Sequence, residues 1–373
     1  MIVAFDAKRA FHNHRGLGAY SRQVLQLMSR YAPESMQFIL FDPHPADAIP
    51  LSLTERFSVE APESPLDKLF PSLWRSVRCV KQIAGCGAAI YHGLSQELPQ
   101  GIERLPVKKV VTMHDAIFIR YPELYDRLYR RIFIRKNQYS CRVADRIIAV
   151  SEQTKRDFIE FFDADPAGID VVYQGCDNRF RHTIEASTLD EVRRKYRLPT
   201  DFLLTVGAIE RRKNLEITLH AMHQGGIDAP LVVVGNPTDY LHSLKNLINT
   251  LGLHGRVIFL HHVPTDDLPA IYRMASVMVY PSLFEGFGIP ILEALCSGVP
   301  VVTSDGSCFR ETGGKSSIYV SPTDAEAMNH ALKRTLSDST LRETMIADGR
   351  LHAETFNDET IAKALLNVYT HLR

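Results

Sequence analysis

Short runs of continuous apolar residues recur along the chain, each followed by a polar turn and a stretch with helical periodicity. The first series is IVAFD (2–6), QFILFD (37–42), AAIYH (88–92), KVVTMHD (109–115), RIIAVS (146–151) and DVVYQG (170–175). The second is FLLTVG (202–207), LVVVG (231–235), RVIFL (256–260), VMVYP (277–281), PVVTSD (300–305) and SIYV (317–320). Strands that are apolar throughout are buried on both faces, the pattern of a parallel sheet covered by helical crossovers. Each series therefore predicts one doubly wound, Rossmann-like α/β domain, and the chain reads as two in tandem. Between them, from about Gly175 to Leu198, apolar periodicity weakens and charge rises, which marks a linker with a short helix.

A length of 373 residues fits two domains better than one core. Lysine plus arginine equals aspartate plus glutamate at 43 each, which argues against a dedicated nucleic-acid binder. The six cysteines show no C-x-x-C pair and no metal-finger spacing, so they read as reduced, packed thiols of a cytoplasmic protein. The first residues, MIVAFD, read directly as a strand and not as a secretory signal. No apolar run approaches the length that spans a bilayer.

In open parallel sheets, ligands bind outside the carboxyl ends of the strands. His114 with Asp115, Ser151, Gly207, Gly235 and Glu285 all follow strands in this way. Two sheets whose carboxyl edges face each other would bring them to one cleft.

The stretch EGFGIPILE (285–293) is the richest in chemistry. Pro290 suits a first helical turn, so a helix is predicted from about Ile289 to Gly298. Glu285 then lies in the strand-to-helix loop. Gly286 and Gly288 let a ligand approach the main chain, while the helix start offers N–H groups to an anion. Glu293, early in the helix, can point back to the same crevice. Two carboxylates around an anion-binding helix end suit a nucleotide sugar. The competing reading makes Glu293 a partner of the helix dipole and Glu285 a solvated loop acid.

Three further segments carry candidate chemistry. In RGLGAYSRQV (15–24), Gly16 and Gly18 precede a helix expected to begin near Ala19 and form a candidate phosphate cradle. It is not a dinucleotide fingerprint, because Ser21 holds the third glycine position. In VGAIERRKN (206–214), Arg211, Arg212 and Lys213 precede a helix, where cations oppose the dipole unless something compensates; a diphosphate would. Lys213 is the expected main phosphate partner and Arg212 the second, with Arg211 at the surface. His114 is placed to bond a sugar hydroxyl or move a proton.

Asp163-Ala164-Asp165 has the spacing of a metal-binding acid pair, but it lies between a helix end and Pro166 and reads as a turn. No other ligand set has metal spacing, so no metal is expected. RLYRRIFIRKNQYSCR (127–142) carries six cations and no acid around an apolar stripe. A solvated basic helix is one reading. The other is that this face, with WRSVRCVK (74–81), lies against anionic lipid or holds an acidic acceptor.

Taken together, the RGLGAYS loop, MHDAIF, ADRIIAVSEQTKRD (144–157), VVYQGCD (171–177), VGAIERRKN and EGFGIPILEALCSGVPVV (285–302) resemble the GT-B fold retaining glycosyltransferases of family 4. The resemblance implies a C-terminal helix that returns to the first domain. Domains are then expected at 1–180, an acceptor-side unit joined by 357–373, and at 181–356, the donor-binding unit. It assigns the donor sugar to Glu285 and the ribose to Glu293, the pair of the family's E-x7-E pattern, with the backbone of Gly286, Phe287 and Gly288 facing sugar and phosphate. Gly16, Gly18, Gly207, Arg212, Lys213 and Gly235 complete the expected donor site, and His114, Glu285 and Lys213 the catalytic set. Where the family often has an arginine after the first strand of this domain, Ala208 stands here, and Arg212 is expected to take over its phosphate contact.

The expected function is retaining transfer of a hexose, with a lean to mannose, from a nucleotide diphosphate sugar to a hydroxyl of a glycan or lipid-linked acceptor in polysaccharide assembly. No cofactor is implied, since the nucleotide sugar is a substrate. The protein is expected in the cytoplasm, with peripheral contact at the inner membrane face through 127–142 and no nucleic-acid partner. Competing readings are a nucleotide-sugar 2-epimerase, a non-catalytic sugar-nucleotide-binding subunit and, less favoured by the broken glycine fingerprint, a dinucleotide oxidoreductase.

Overall fold

The computed structural model describes residues 1–14, 16–45 and 53–372. The chain divides into two compact units, Met1–Gln174 with Asp358–Arg373, and Gly175–Asn357. The first contains β1 (Ile2–Asp6), β2 (Gln37–Phe41), β3 (Phe57–Glu60), β4 (Ile90–Gly93), β5 (Lys108–Met113), β6 (Arg146–Ala149) and β7 (Ile169–Val171). Their order is β3-β2-β1-β4-β5-β6-β7, parallel throughout. The second holds β8 (Leu203–Val206), β9 (Leu231–Val234), β10 (Val257–Leu260), β11 (Val277–Tyr280), β12 (Val301–Ser304) and β13 (Ile318–Val320). Their order is β10-β9-β8-β11-β12-β13, again parallel.

In both sheets the order reverses direction beside the first strand, so a crevice opens at the carboxyl ends of β1 and β4 and of β8 and β11. Every predicted apolar run forms a strand. The exception in the other direction is β3, a sheet-edge strand whose exposed positions break the apolar run that marks the interior strands.

Val3, Phe5, Val111, Ile148 and their neighbours in the first sheet, and Leu204, Val232, Met278 and Val301 in the second, are buried on both faces. The linker region folds as a helix, Ala186–Tyr196, tied through Lys195 and Tyr196 to Asp267 at 2.6 Å each. The final helix, Asp358–Thr370, packs in the first unit, where Tyr369 Oη lies 2.7 Å from His92 Nδ1. The other imidazole nitrogen of His92 meets Thr112 Oγ1 at 2.8 Å, and burial lowers its pKa to about 3, so this ring is a neutral structural link.

Candidate functional site

The second unit builds its site from the turn after β8. Gly207 has φ +145°, and a Cβ there would lie 3.3 Å from Lys213 Cε, so the glycine leaves Lys213 its path over the main chain. Gly235, at the end of β9, is required by a closer approach: an added Cβ would meet the Gly207 carbonyl oxygen at 1.8 Å. Arg211–Lys213 then form a single 3-10 turn and Asn214 takes φ +55°, turning the chain into the helix Leu215–His223. Asn214 Nδ2 donates to the carbonyls of Pro281 (3.1 Å) and Pro322 (2.8 Å), which fastens this turn to the end of β11.

Glu285 stands opposite. Its Oε1 accepts from Lys213 Nζ at 2.6 Å and from Tyr280 Oη at 2.9 Å, while Oε2 lies 2.7 Å from Arg212 Nη1. Arg212 also donates to the Phe284 carbonyl and to Glu210, each at 2.6 Å. Burial by itself would raise the Glu285 pKa, but Arg212 and Lys213 outweigh it and hold the carboxyl down at about 2. Burial lowers the Lys213 pKa, and Glu285 opposes that shift. Charge compensation at the cationic turn, assigned to a diphosphate from sequence alone, is therefore supplied here by Glu285 and Glu210. Arg211 stays at the surface, its guanidinium 6.0 Å from the centre of the Tyr240 ring.

The helix Ile289–Ser297 begins with Gly288 at φ +87°, carries Pro290 in its first turn and ends on Gly298 in the left-handed region. The main chain of Glu285 is locked by Ser307, whose Oγ accepts from the Glu285 N–H at 3.1 Å and donates to its carbonyl at 2.8 Å. Phe287 is buried with its ring 5.6 Å from Phe356, and its carbonyl accepts from Thr312 Oγ1. Gly286, between them, is half-buried.

Glu293 has different neighbours from Glu285. Its Oε2 accepts from Tyr272 Oη at 2.7 Å, and burial raises its pKa to about 7, with Asp177 adding to the rise and Arg179 opposing it. The same nine residues thus carry one carboxylate fixed as an anion and one poised near neutrality. The buried thiols of Cys176 and Cys296 lie beside it, and all six cysteines are free.

In the first unit, His114 follows β5 and is buried; its Nε2 lies 2.9 Å from the Leu94 carbonyl and its ring stands edge-on to Tyr20. Burial lowers its pKa to about 4, so the ring is neutral, Nε2–H faces Leu94, and Nδ1 is the acceptor. The Gly16 and Gly18 expectation needs correction. The helix starts at Gly16, three residues earlier than expected, so both glycines belong to its first turn. An added Cβ on Gly18 would meet the Asn13 carbonyl oxygen at 1.7 Å, so packing against the preceding turn already requires glycine there. Gly16 faces open space.

Asp163 caps the helix Glu152–Phe162 at φ +50° and Asp165 caps the next 3-10 turn, so this acid pair is turn structure. The basic helix, Arg127–Val143, departs from the expected pattern. Leu128, Tyr129 and Ile132 do not pack inward but are exposed alongside Arg127, Arg131 and Arg135. Within WRSVRCVK, Arg75 is withdrawn from any surface role by a buried pairing with Asp6. Among the described residues, no helix is long and apolar enough to cross a membrane, and no group of three His, Cys, Asp or Glu side chains is arranged to hold a metal ion.

Tyr280, Tyr272, Ser307 and Glu210 were not singled out in the sequence. Only Tyr280 carried a local signal, a polar-tipped residue closing an apolar strand.

Two parallel α/β units with crevices at matching switch points define the GT-B architecture. Across its full length the chain is similar to the solved structure of Anabaena Alr3699/HepE in complex with UDP and glucose, with a TM-score of 0.77 at 18% identity and 100% of each chain covered. The family model for glycosyl transferases group 1 matches residues 190–352, and that for glycosyltransferase family 4 matches 21–180. The O-antigen chain mannosyltransferase B of Escherichia coli is 30% identical over 285 residues, 75% of this chain and 74% of that one. The O-antigen chain mannosyltransferase RfbU of Salmonella typhimurium is 29% identical over 226 residues, 60% of each. The chain belongs to the glycosyl transferases group 1 family, and it is a glycosyltransferase.

Proposed function

We propose that this glycosyltransferase moves a hexose, mannose by analogy with the mannosyltransferases named above, from a nucleotide diphosphate sugar to a hydroxyl of a glycan or lipid-linked acceptor, with retention of anomeric configuration and without a metal. The observation that carries the reading is the cluster in which Lys213 and Arg212 share Glu285 at the carboxyl ends of β8 and β11.

As the bond from the anomeric carbon to the diphosphate breaks, negative charge grows on the leaving group, and Lys213 and Arg212 stabilise it by turning part of their pairing from Glu285 to phosphate. Glu285, held as an anion, accepts hydrogen bonds from sugar hydroxyls. Glu293 takes the ribose hydroxyls, and the N–H groups beginning at Gly288 and the glycines Gly207 and Gly235 admit the diphosphate backbone. The acceptor hydroxyl attacks the same face of the sugar, its proton passing to an oxygen of the departing phosphate, so no carboxylate acts as nucleophile. Neutral His114 accepts a hydroxyl hydrogen bond at Nδ1 and orients substrate. Gly16 and Gly18, in a helical first turn, offer main-chain N–H groups to the donor's phosphates.

The acceptor side of this reading includes anionic lipid. Leu66, Leu69, Phe70 and Leu73 are exposed on one segment, and Leu128 and Ile132 are exposed beside the cations of the acid-free basic helix. Vesicle flotation with and without anionic lipid, on wild type and on Leu69→Asp with Ile132→Asp, tests this: charge-dependent binding lost in the variant supports it, and equal flotation of both rejects it.

Transfer itself is tested by incubating the chain with GDP-mannose, UDP-glucose and dTDP-sugars plus oligosaccharide acceptors, and reading product linkage by NMR. A retained anomeric configuration, unchanged by EDTA, is expected; inversion, or loss of activity with EDTA, overturns the mechanism.

A further inference from the structure

Two middle strands of the first sheet carry buried polar side chains, His92 on β4 and Thr112 on β5. Thr112 Oγ1 lies 2.8 Å from His92 Nε2 and 3.1 Å from Tyr20 Oη, on the helix Gly16–Tyr31. The opposite ring nitrogen, His92 Nδ1, meets Tyr369 Oη of the final helix at 2.7 Å. A hydrogen-bonded path thus runs from Tyr369 through His92 and Thr112 to Tyr20, all of it buried. A neutral imidazole donates from one nitrogen and accepts at the other, so loss of either partner leaves a buried polar atom unpaired.

From His92 this path reaches His114 in two ways. Through Thr112 it holds the hydroxyl of Tyr20, whose ring stands nearly perpendicular to the His114 ring with centroids 4.7 Å apart. Through the main chain it holds Leu94, two residues beyond His92, whose carbonyl lies 2.9 Å from His114 Nε2. Gly93 between them is closely confined, since an added Cβ would meet the Glu97 carbonyl oxygen at 2.1 Å. The backbone of His114 is fixed separately, its carbonyl accepting from Thr154 Oγ1 at 3.1 Å. At the other end, the chain enters the final helix at Asp358 only after completing the second unit. Phe5 packs against both His92 and Tyr369, with ring centroids 5.7 and 6.4 Å away. Phenylalanine would fill that space as well as tyrosine, so what Tyr369 adds is the hydrogen bond to His92.

We propose that Tyr369 and His92 are positioning residues for His114: the final helix, by seating His92, fixes the Tyr20 ring and the Leu94 carbonyl so that His114 keeps one orientation and one tautomer. The proposal rests on the reading of His114 as the residue that orients substrate. It gives the helix that ends the chain a consequence for transfer, through hydrogen bonds within the first unit alone.

The deciding experiment needs no substrate. The full chain is prepared with isotope-labelled histidine, and the His114 ring nitrogens are assigned by their absence from His114→Gln in long-range proton–nitrogen NMR spectra, which distinguish the two tautomers. Wild type should show His114 as a single Nε2–H tautomer. Tyr369→Phe and Thr112→Val each keep the side chain's shape and remove its hydrogen bonds, and each should turn the His114 signal into an exchange average of both tautomers. Thermal melting confirms that both variants fold. Unchanged His114 nitrogen shifts in both folded variants overturn the proposal, whichever donor the enzyme uses. Transfer is read in parallel with GDP-mannose and UDP-glucose as donors and oligosaccharide acceptors. Tyr369→Phe should lower kcat by about five- to tenfold with donor KM unchanged, the scale of one buried hydrogen bond, and should cause no further loss in a His114→Gln background. Equal losses in both backgrounds show a merely structural role and overturn the proposal. Undiminished transfer by His114→Gln overturns instead the substrate-orienting reading of His114, which the NMR result on the free chain does not depend on.

Discussion

Each unit contains an arginine set between two carboxylates with a lysine on one of them, and the two arrangements have opposite consequences. In the second unit Arg212 lies between Glu210 and Glu285, Lys213 joins Glu285, and the space beside them is only about 10 Å³. In the first, Arg75 lies between Asp6 and Glu97, Lys136 joins Glu97, and about 240 Å³ stands open above them. The same pairing chemistry is a closed latch in one place and the floor of a preformed pocket in the other. A ligand at the latch must exchange partners with the ion pairs, which suits charge that appears during reaction. A ligand in the pocket meets ion pairs that are already satisfied.

The largest expected effect comes from breaking the latch. Glu285→Ala takes the shared carboxylate from Lys213 and Arg212, leaving Arg212 only Glu210, and should destabilise the fold by about 3–5 kcal/mol in urea titration, along with loss of transfer. Equal stability of variant and wild type would mean the pairing is solvated and the contrast with the pocket false. Acid should act the same way. Because the Glu285 pKa is lowered to about 2 from 4.5, its contribution is complete above pH 4.5 and is lost as pH falls toward 2.

Glu293→Ala should weaken donor binding by roughly 10- to 100-fold, the cost of hydrogen bonds to a charged group at about 1.5–3 kcal/mol, with a smaller effect on stability. The pH dependence has the opposite sign to that of Glu285. The Glu293 pKa is raised to about 7, so the folded state is favoured by protonation and loses stability as pH rises from 4.5 through about 7. Donor hydroxyls bond the ionised form better, so donor affinity should rise through about pH 7 in wild type and be flat in Glu293→Gln. Identical pH profiles would remove the carboxyl from the site.

Gly235→Ala forces a Cβ against the Gly207 carbonyl and should cost about 1–3 kcal/mol by thermal melting. Arg211→Ala, at an exposed position outside both clusters, should stay within about 0.5 kcal/mol and leave donor affinity unchanged; a large loss would extend the cationic site beyond Lys213 and Arg212.

The interior strands were legible because burial on both faces leaves apolar runs such as LVVV and VMVY, which helices of the same length do not need. β3 was not, since an edge strand such as FSVE has no such run. Glu285 and Lys213 could be named from their strand-end positions, yet their mutual pairing could not, because it joins residues 72 apart through the packing of two loops. The packing demand at Gly18 was not legible for the same reason: the atom that requires glycine there is the Asn13 carbonyl oxygen, which only the folded turn brings near. The exposure of Leu128 and Ile132 was hidden by an amphipathic pattern that predicts a stripe but not whether anything covers it. Arg75 read as a surface cation because its partners, Asp6 and Glu97, come from two other strands' ends.

The latch at Lys213, Arg212 and Glu285, with Glu293, is proposed to bind a nucleotide diphosphate sugar. Calorimetric titration of wild type and Lys213→Ala with GDP-, UDP- and dTDP-sugars tests it most directly. At least one donor should bind wild type at one site per chain and bind Lys213→Ala at least about tenfold more weakly, the loss of one charge-assisted hydrogen bond. Absence of binding by every donor, or equal affinity in the variant, would contradict it.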